Sequence, residues 1–291
     1  MSGTVSVVIP TYNYGQFIGE ALDSALRQTL APVEVIVVDD GSTDDTEQIV
    51  GEFANRSVRY IRQENAGVCS ARNRGAAEST GDLIAFLDAD DTWEPTKLAK
   101  QADRFDDPNI GLVHCGMTEF DSASGEIVKI HNEGGELGVA ENLLLWEGPV
   151  IVGPGGTIMV ARRVFDAIGG FDTRMKCGED WDLCYRIARE YKVAFVAEPL
   201  VNYRSHGAAA HHNIDNMECG MAMFYEKAFD TQDPNVLALK DRALGNYHKV
   251  MSGSYFRAGR LGKFASHAVR SIARRPANIS YFLGYPLRRL R

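Results

Sequence analysis

Three features of the chain predict an α/β fold with a parallel sheet covered by helices on both faces. Short apolar runs alternate with segments of helical period through the first 90 residues. The runs have the length of buried strands, and the segments between them have the length of crossover helices. Strand, helix, strand at that spacing implies right-handed crossovers and parallel pairing.

The first strand is VSVVIP, Val5–Pro10, and QFIGEALDSALRQ follows with Phe17, Ile18, Leu22, Ala25 and Leu26 at helical spacing. VEVIVVDD is the second strand. STDDTEQIVGEFA opens with a Ser or Thr cap and places acids in its first turn, as a helix N-terminus prefers. VRYIRQ is a third short strand, VCSARNRGAAEST a third helix and LIAFLD a fourth strand. From Trp93 the pattern loosens. EPTKLAKQADRF is a helix, with Asp91 or Thr92 as its cap; IGLVHCGMTEF and EIVKIH are strands around the turn DSASGE; a helix lies near Glu141–Glu147. GPGGTIMVARRVFDAIGG supplies a glycine-rich loop, a strand and a short helix. EDWDLCYRIAREY is a strongly amphipathic helix, and VAFV and LVNYRSH are two further strands. After about Asn213 the pattern is all helical, which predicts an α/β body over 1–212 and a helical extension over 213–291.

The chain has 291 residues, 45% hydrophobic and 24% charged, ordinary for a globular protein of one large domain plus an appendage. MSGTVSVVIP runs straight into a strand without a basic-then-apolar leader, and no apolar run approaches the ~20 residues of a membrane span, which predicts a cytoplasmic protein. Five scattered cysteines without a CxxC pair predict free thiols. The net charge of −8 is unevenly spread: Arg242–Arg291 holds 11 Lys plus Arg and no acid, leaving 20 basic against 39 acidic residues before it. An acidic body excludes general nucleic-acid binding and suits a site built from carboxylates.

In an open parallel sheet, ligands bind outside the carboxyl ends of the strands. VVDDGSTD places Asp39 and Asp40 at the end of the second strand, and FLDADD places Asp88 and Asp90 at the end of the fourth. Four carboxylates on one cleft repel one another unless a cation or hydrogen-bond donors compensate, and oxygen ligation favours Mg²⁺ or Mn²⁺. One helix needs one cap, so capping explains one acid of DADDTW and a turn explains GSTD, but neither explains the pairs. The first loop, IPTYNYGQF, carries no GxGxxG, and GPGG at 153–156 lacks both the spacing and a strand directly before it. A dinucleotide dehydrogenase is disfavoured, and the lack of GxxxxGK(S/T) disfavours a P-loop nucleotidase.

Together SVVIPTYNYGQFIGEALDSALRQTL, EVIVVDDGSTDDT, ENAGVCSARNRGAAESTGDLIAFLDADDTWEPTKL and GGFDTRMKCGEDWDLCYRIA resemble the family 2 glycosyltransferases, across about Val5–His206. The resemblance implies a GT-A type fold, a mostly parallel Rossmann-like sheet flanked by helices, with 1–212 as the catalytic domain. It implies that Pro10, Thr11, Tyr12 and Asp40 cradle the nucleotide base and ribose, with Asp39 beside them, and that Asn65, Gly67 and Arg72 lie in the segment closing over the nucleotide. Arg72 reads equally well as a helix-surface arginine. Asp88 and Asp90 match the DxD motif, Asp88 toward ribose or sugar and Asp90 toward a metal on the diphosphate. Asp180, in the ED motif, resembles the catalytic base, with Glu179 its neighbour; the alternative is a first-turn acid favoured by the helix dipole. NYRSHG resembles a motif whose histidine, here His206, joins the metal or diphosphate, with His211 and His212 as competitors; imidazole ligation tilts the metal toward Mn²⁺.

The implied activity is metal-dependent, inverting transfer of a sugar from a nucleotide-diphosphate sugar, UDP being the commoner nucleotide, to a hydroxyl on a glycan or lipid-linked acceptor in surface-glycan synthesis. The other readings are a sugar nucleotidyltransferase, which would want basic residues in the first loop, and a non-catalytic nucleotide-sugar-binding module. In the tail, Phe264, Val269, Ile272, Ile279, Phe282, Leu283, Leu287 and Leu290 recur near helical spacing among Arg270, Arg274, Arg275, Arg288, Arg289 and Arg291. Such helices lie on anionic membrane surfaces, or pack on the body or on a second subunit of a homodimer.

Overall fold

The computed structural model describes residues 3–53, 57–205 and 214–284. They form two compact units: one built from the chain up to Ala140 and again from Pro149 through the last strand, the other from Glu141–Gly148 and the C-terminal helices.

In the first unit β1 (Val5–Thr11), β2 (Glu34–Asp39), β3 (Val58–Arg62) and β4 (Leu83–Phe86) alternate with α1 (Gly15–Leu26), α2 (Thr46–Gly51) and α3 (Val68–Glu78). β1 pairs in parallel with β2 and β4, and β2 in parallel with β3. Every residue of β1, β2 and β4 is buried, because helices cover both faces and leave no solvent side for polar residues. α3 lies close on this sheet through Gly75, where an added Cβ would come within 2.3 Å of Val8 Cγ1 and 3.2 Å of Val38 Cγ2. Gly75→Ala is therefore expected to destabilise by about 1–3 kcal/mol, the usual cost of overpacking, measured as a lower urea midpoint at unchanged slope.

Beyond β4 the sheet becomes mixed. β5 (Thr92–Trp93), α4 (Lys97–Ala102), β6 (Ile110–Asp121), β7 (Ile127–His131), α5 (Val139–Leu145), α6 (Pro154–Thr157), β8 (Met159–Ala161), α7 (Arg162–Ile168), α8 (Glu179–Glu190) and β9 (Lys192–Ser205) follow in order. The strand order is β3-β2-β1-β4-β8-β6-β9-β5, with β7 on β6. β8 runs antiparallel to β4 and β6, while the long β9 runs parallel to β6. VAFV and LVNYRSH, expected as two strands, belong to this one strand, and its register on β6 shifts beside Gly116 instead of breaking.

The expected start of the helix after DADD is corrected. Thr92 and Trp93 pair with Asn202 and Val201 as β5, and α4 begins only at Lys97 with Thr96 at its N-cap. Neither Asp91 nor Thr92 caps it. The sheet claims these residues first, since β9 presents an edge that Thr92 and Trp93 can satisfy. GPGG, expected as a loop, opens the single turn of α6, which Gly153 enters with φ +50°.

The second unit is helical among its described residues: α9 (Ile214–Phe229), α10 (Pro234–Ala238), α11 (Lys240–Arg257), α12 (Leu261–Arg274) and α13 (Ile279–Leu283), with a 3-10 turn over Pro276–Asn278. Its core joins Met221, Phe224, Tyr225, Phe229, Tyr247 and Met251 to Leu143, Leu144 and Leu145 of the 141–148 segment. Tyr225 donates to the Leu144 carbonyl at 2.9 Å, and Asn246 Nδ2 donates to the Leu145 carbonyl and to Glu147 Oε1. Burial would raise the Glu147 pKa, but donors from Arg242, Arg275 and Asn246 outweigh it and bring it to about 2. The segment near 141–148 thus joins the C-terminal helices, a long-range pairing that leaves no periodic signal.

Candidate active site

The ends of β1, β2 and β4 lie side by side, with Thr11 in register with Asp39, and the loops leaving them interlock. Asn13, at φ +57°, accepts from Thr43 N at 2.7 Å and donates its own N–H to Ser42 Oγ. Gly15 N donates to Asp44 Oδ2, and an added Cβ at Gly15 would fall 2.1 Å from Asp45 Oδ1. Pro10 and Thr11 are buried at this edge and Tyr12 is exposed; the Thr11 hydroxyl has no hydrogen-bond partner among the described residues.

Asp39 and Asp40 are spent in different ways. Asp39 is fully buried, accepting from Ser42 N at 2.7 Å and the Tyr60 hydroxyl at 2.5 Å. Burial first and then this bond push the Tyr60 phenol up. Asp40 accepts from Gln63 Nε2 at 2.7 Å, Ala66 N at 2.9 Å and Gly67 N at 2.7 Å, so it fixes the loop holding the exposed Asn65. Gly67, at φ +90°, then opens α3.

Arg72 of α3 is a buried bridge. It is 4% exposed, with Nη2 2.7 Å from Asp88 Oδ1, Nη1 2.8 Å from Glu179 Oε1 and the guanidinium 5.2 Å from the Phe171 ring centroid. The helix-surface reading of this residue is therefore corrected. Asn73 beside it exchanges two hydrogen bonds with the backbone of Phe171, at 2.8 and 2.9 Å, tying GGFD to α3. Phe171 in turn meets Phe86 of β4 edge-on at 5.2 Å. One face of α3 thus brings DADD, GGFD and ED together. Gly155 completes the contact, since a Cβ there would sit 2.6 Å from Asp88 Oδ2.

Asp180 follows Glu179 in the first turn of α8 and accepts from Trp181 N at 2.7 Å. Its pKa is raised to about 7, by burial first and then by Glu179, with Arg72 opposing. A carboxylate titrating near neutrality is suited to proton abstraction.

Around Asp90 the chain supplies acids faster than it supplies donors. Asp91 is 3% exposed, accepts from Arg204 N at 2.9 Å and is pushed well above the carboxylate range by burial, then by Asp88 and Asp90. Burial and these three acids also push the Tyr14 phenol up to about 12. Arg204 turns its charge outward: Nε binds the Asp90 carbonyl, Nη2 meets Glu20 at 2.5 Å, and the guanidinium lies between the Phe17 and Phe120 rings. Asp91, Asn73 and Arg204 lie within motif stretches of the sequence, and only their long-range partners reveal their roles.

His206, His211 and His212 lie outside the described residues. Among the described residues no three His, Cys, Asp or Glu side chains converge as a ready-made metal cage. The DADD corner still fits a divalent cation, because Asp88, Asp90 and Asp91 crowd one strand end, where burial first and then these acids raise the Asp91 and Tyr14 pKa values. Mg²⁺ and Mn²⁺ need only one or two protein carboxylates when water and phosphate complete the shell.

Solved structures share this architecture. The mannosyltransferase PcManGT from Pyrobaculum calidifontis, in complex with GDP-Man and Mn²⁺, matches with a TM-score of 0.68 at 22% identity, over 99% of this chain and 81% of its own. S. aureus TarS 1–349 in complex with UDP-GlcNAc matches with a TM-score of 0.65 at 18% identity, over 94% of this chain and 92% of its own. The fold is that of the GT-A glycosyltransferases.

Residues 6–169 match the family described as Glycosyl transferase family 2, and the chain belongs to that family. An uncharacterized glycosyltransferase of Rickettsia prowazekii is 32% identical over 212 residues, 71% of this chain and 65% of that protein. The uncharacterized glycosyltransferase EpsJ of Bacillus subtilis is 38% identical over 115 residues, 39% of this chain and 33% of its own. The chain therefore spans just under two thirds of the length of the first of these relatives.

Proposed function

We propose that the chain is a metal-dependent, inverting glycosyltransferase that moves a sugar from a nucleotide-diphosphate sugar to an acceptor hydroxyl. The observation that carries this reading is the Asp180 carboxylate, held near pKa 7 in the cluster that Arg72 ties to Asp88. A non-catalytic binder has no need of a carboxylate poised near neutrality at the mouth of its cleft.

The donor enters at the β1 and β2 ends. Pro10, Thr11 and Tyr12 line the base and ribose, and the Thr11 hydroxyl offers them a free hydrogen-bonding group. Asp40 holds the Asn65–Gly67 loop against the nucleotide, and its remaining lone pairs accept from a base N–H. Asp39, consumed by Ser42 and Tyr60, supports the strand end from beneath. Asp88, oriented by Arg72, faces the ribose or sugar, and Asp90 is the carboxylate for Mn²⁺ or Mg²⁺. Such a cation would supply positive charge where the leaving diphosphate develops negative charge. Asp180 takes the proton of the acceptor hydroxyl, whose oxygen attacks the anomeric carbon from the face opposite the diphosphate; one displacement with one base inverts the centre. Glu179 raises and Arg72 lowers the pKa of that base through their charges.

Solved relatives of the same fold hold GDP-Man with Mn²⁺ and UDP-GlcNAc, which supports a nucleotide-sugar donor of either base. A thermal-shift panel of UDP- and GDP-sugars with Mn²⁺ tests the donor: a ligand at about 100 times its Kd stabilises by about 2.7 kcal/mol. Asp90→Ala is expected to weaken Mn²⁺-dependent donor binding by at least about tenfold. Equal donor affinity for wild type and variant, with and without Mn²⁺, would remove the metal role.

A further inference from the structure

α12 buries only part of its apolar arc. Its buried residues are polar: His267, bonded to Glu218 Oε1 at 3.0 Å, and Ser271, bonded to the Gly245 carbonyl at 2.7 Å. Phe264, Ala268 and Ile272 are half-buried beside them, whereas Leu261, Ala265 and Val269 carry the apolar arc onto the exposed side. Leu261 is 61% exposed and Val269 68%. α13 adds Ile279 at 49% and Leu283 at 74%.

Beyond the small residues Gly262, Ser266 and Ala273, the far edge of the exposed arc is basic, with Lys263, Arg270 and Arg274 at i, i+7 and i+11. Lys263 and Arg274 pair with Glu218 and Asp241, whereas Arg257 and Arg270 have no carboxylate partner among the described residues. By sequence the chain continues after α13 as YPLRRLR, setting Leu287 and Leu290 among Arg288, Arg289 and Arg291. The unit to which these residues belong holds 13 basic against eight acidic residues, while the rest of the chain holds 18 against 31.

We propose that the exposed apolar strip of α12 and α13, with its basic flank, is a docking surface for an anionic lipid bilayer, lying in the plane of the headgroups. An apolar stripe beside clustered cations is the pattern by which helices rest on such surfaces. A second copy of the chain is the poorer occupant: self-pairing would bring together two units that each hold 13 basic against eight acidic residues. The docking holds whatever the α/β unit transfers.

The test is co-sedimentation of the full chain with vesicles of phosphatidylcholine alone or mixed with phosphatidylglycerol. The expected result is binding to the mixed vesicles, weakened about tenfold or more by high salt. Val269→Glu with Leu283→Glu alters only exposed side chains, so it should leave the unfolding temperature unchanged and reduce vesicle binding at least about tenfold. Arg270→Glu should weaken binding to the mixed vesicles specifically. Failure of the wild type to bind, equal binding to both lipid compositions, or undiminished binding by the double variant would each overturn the proposal. So would a solution dimer that the double variant dissociates.

Discussion

Asp180→Asn is expected to lower sugar transfer by about 10²–10⁴-fold, the usual weight of a positioned general base, while donor affinity stays within about threefold of wild type. Single-turnover transfer and calorimetric donor binding separate the two, and near-normal transfer by the variant would end the base assignment. In the wild type the Asp180 pKa, raised to about 7 by burial and Glu179, gives the pH profile. The active form is the carboxylate, so the rate should climb about tenfold per pH unit below 7 and level off above it. The same shift bears on stability with a definite sign. Because the folded pKa exceeds the unfolded value of about 3.9, the fold favours protonated Asp180, and stability is lost as pH rises from about 4 through about 7. An asparagine cannot ionise, so the variant should melt above wild type at pH 8 and with it at pH 4. A residue that costs stability at working pH yet is retained is what a functional site requires.

Arg72→Met is expected to destabilise the chain by about 3–5 kcal/mol, as breaking a buried ion pair does when one charge is left behind. Arg72 is 4% exposed, and its removal leaves the buried Glu179 without its cation and Asp88 facing Asp90 and Asp91 unopposed. Chemical denaturation measures the loss. The companion variant Arg72→Met with Glu179→Met removes the stranded charge as well and should recover part of the stability. If it recovers none, the loss comes from packing on Phe171 and not from the charge. Transfer should fall with both variants, because Asp88 loses the guanidinium that orients it; in the single variant Asp180 also loses the cation that offsets Glu179.

The parts of the molecule legible in the sequence are those set by nearest neighbours along the chain. β1, β2 and β4 are apolar runs because both of their faces are covered, and α1 and α8 keep a helical period over three turns. The acids of VVDDGSTD and DADD sit at strand ends by their position in those runs. What escaped the sequence depends on pairing across long separations. β5 replaces the expected helix start because β9, more than a hundred residues away, offers Thr92 and Trp93 an edge. Asp91 reads as a cap and proves to be a buried acceptor for Arg204 N. Arg72 reads equally as a residue of the nucleotide segment and as a surface arginine, because α3 is weakly amphipathic, with buried polar and small residues where a hydrophobic stripe would be expected.

The sequence alone determined the strand–helix alternation, the placing of acids at the carboxyl edge of a parallel sheet, the family, and the basic character of the C-terminal segment. Only the tertiary structure decided how those acids are used: Asp39 consumed inside, Asp40 holding a loop, Asp88 and Glu179 joined through one guanidinium, and Asp180 raised toward neutrality. It also decided that α12 buries His267 and Ser271 fully while leaving Leu261 and Val269 exposed. The reason is physical. Periodicity reports which local conformation buries apolar area, whereas the state of a carboxylate depends on burial and on charges within a few ångströms, which chain folding brings from distant positions.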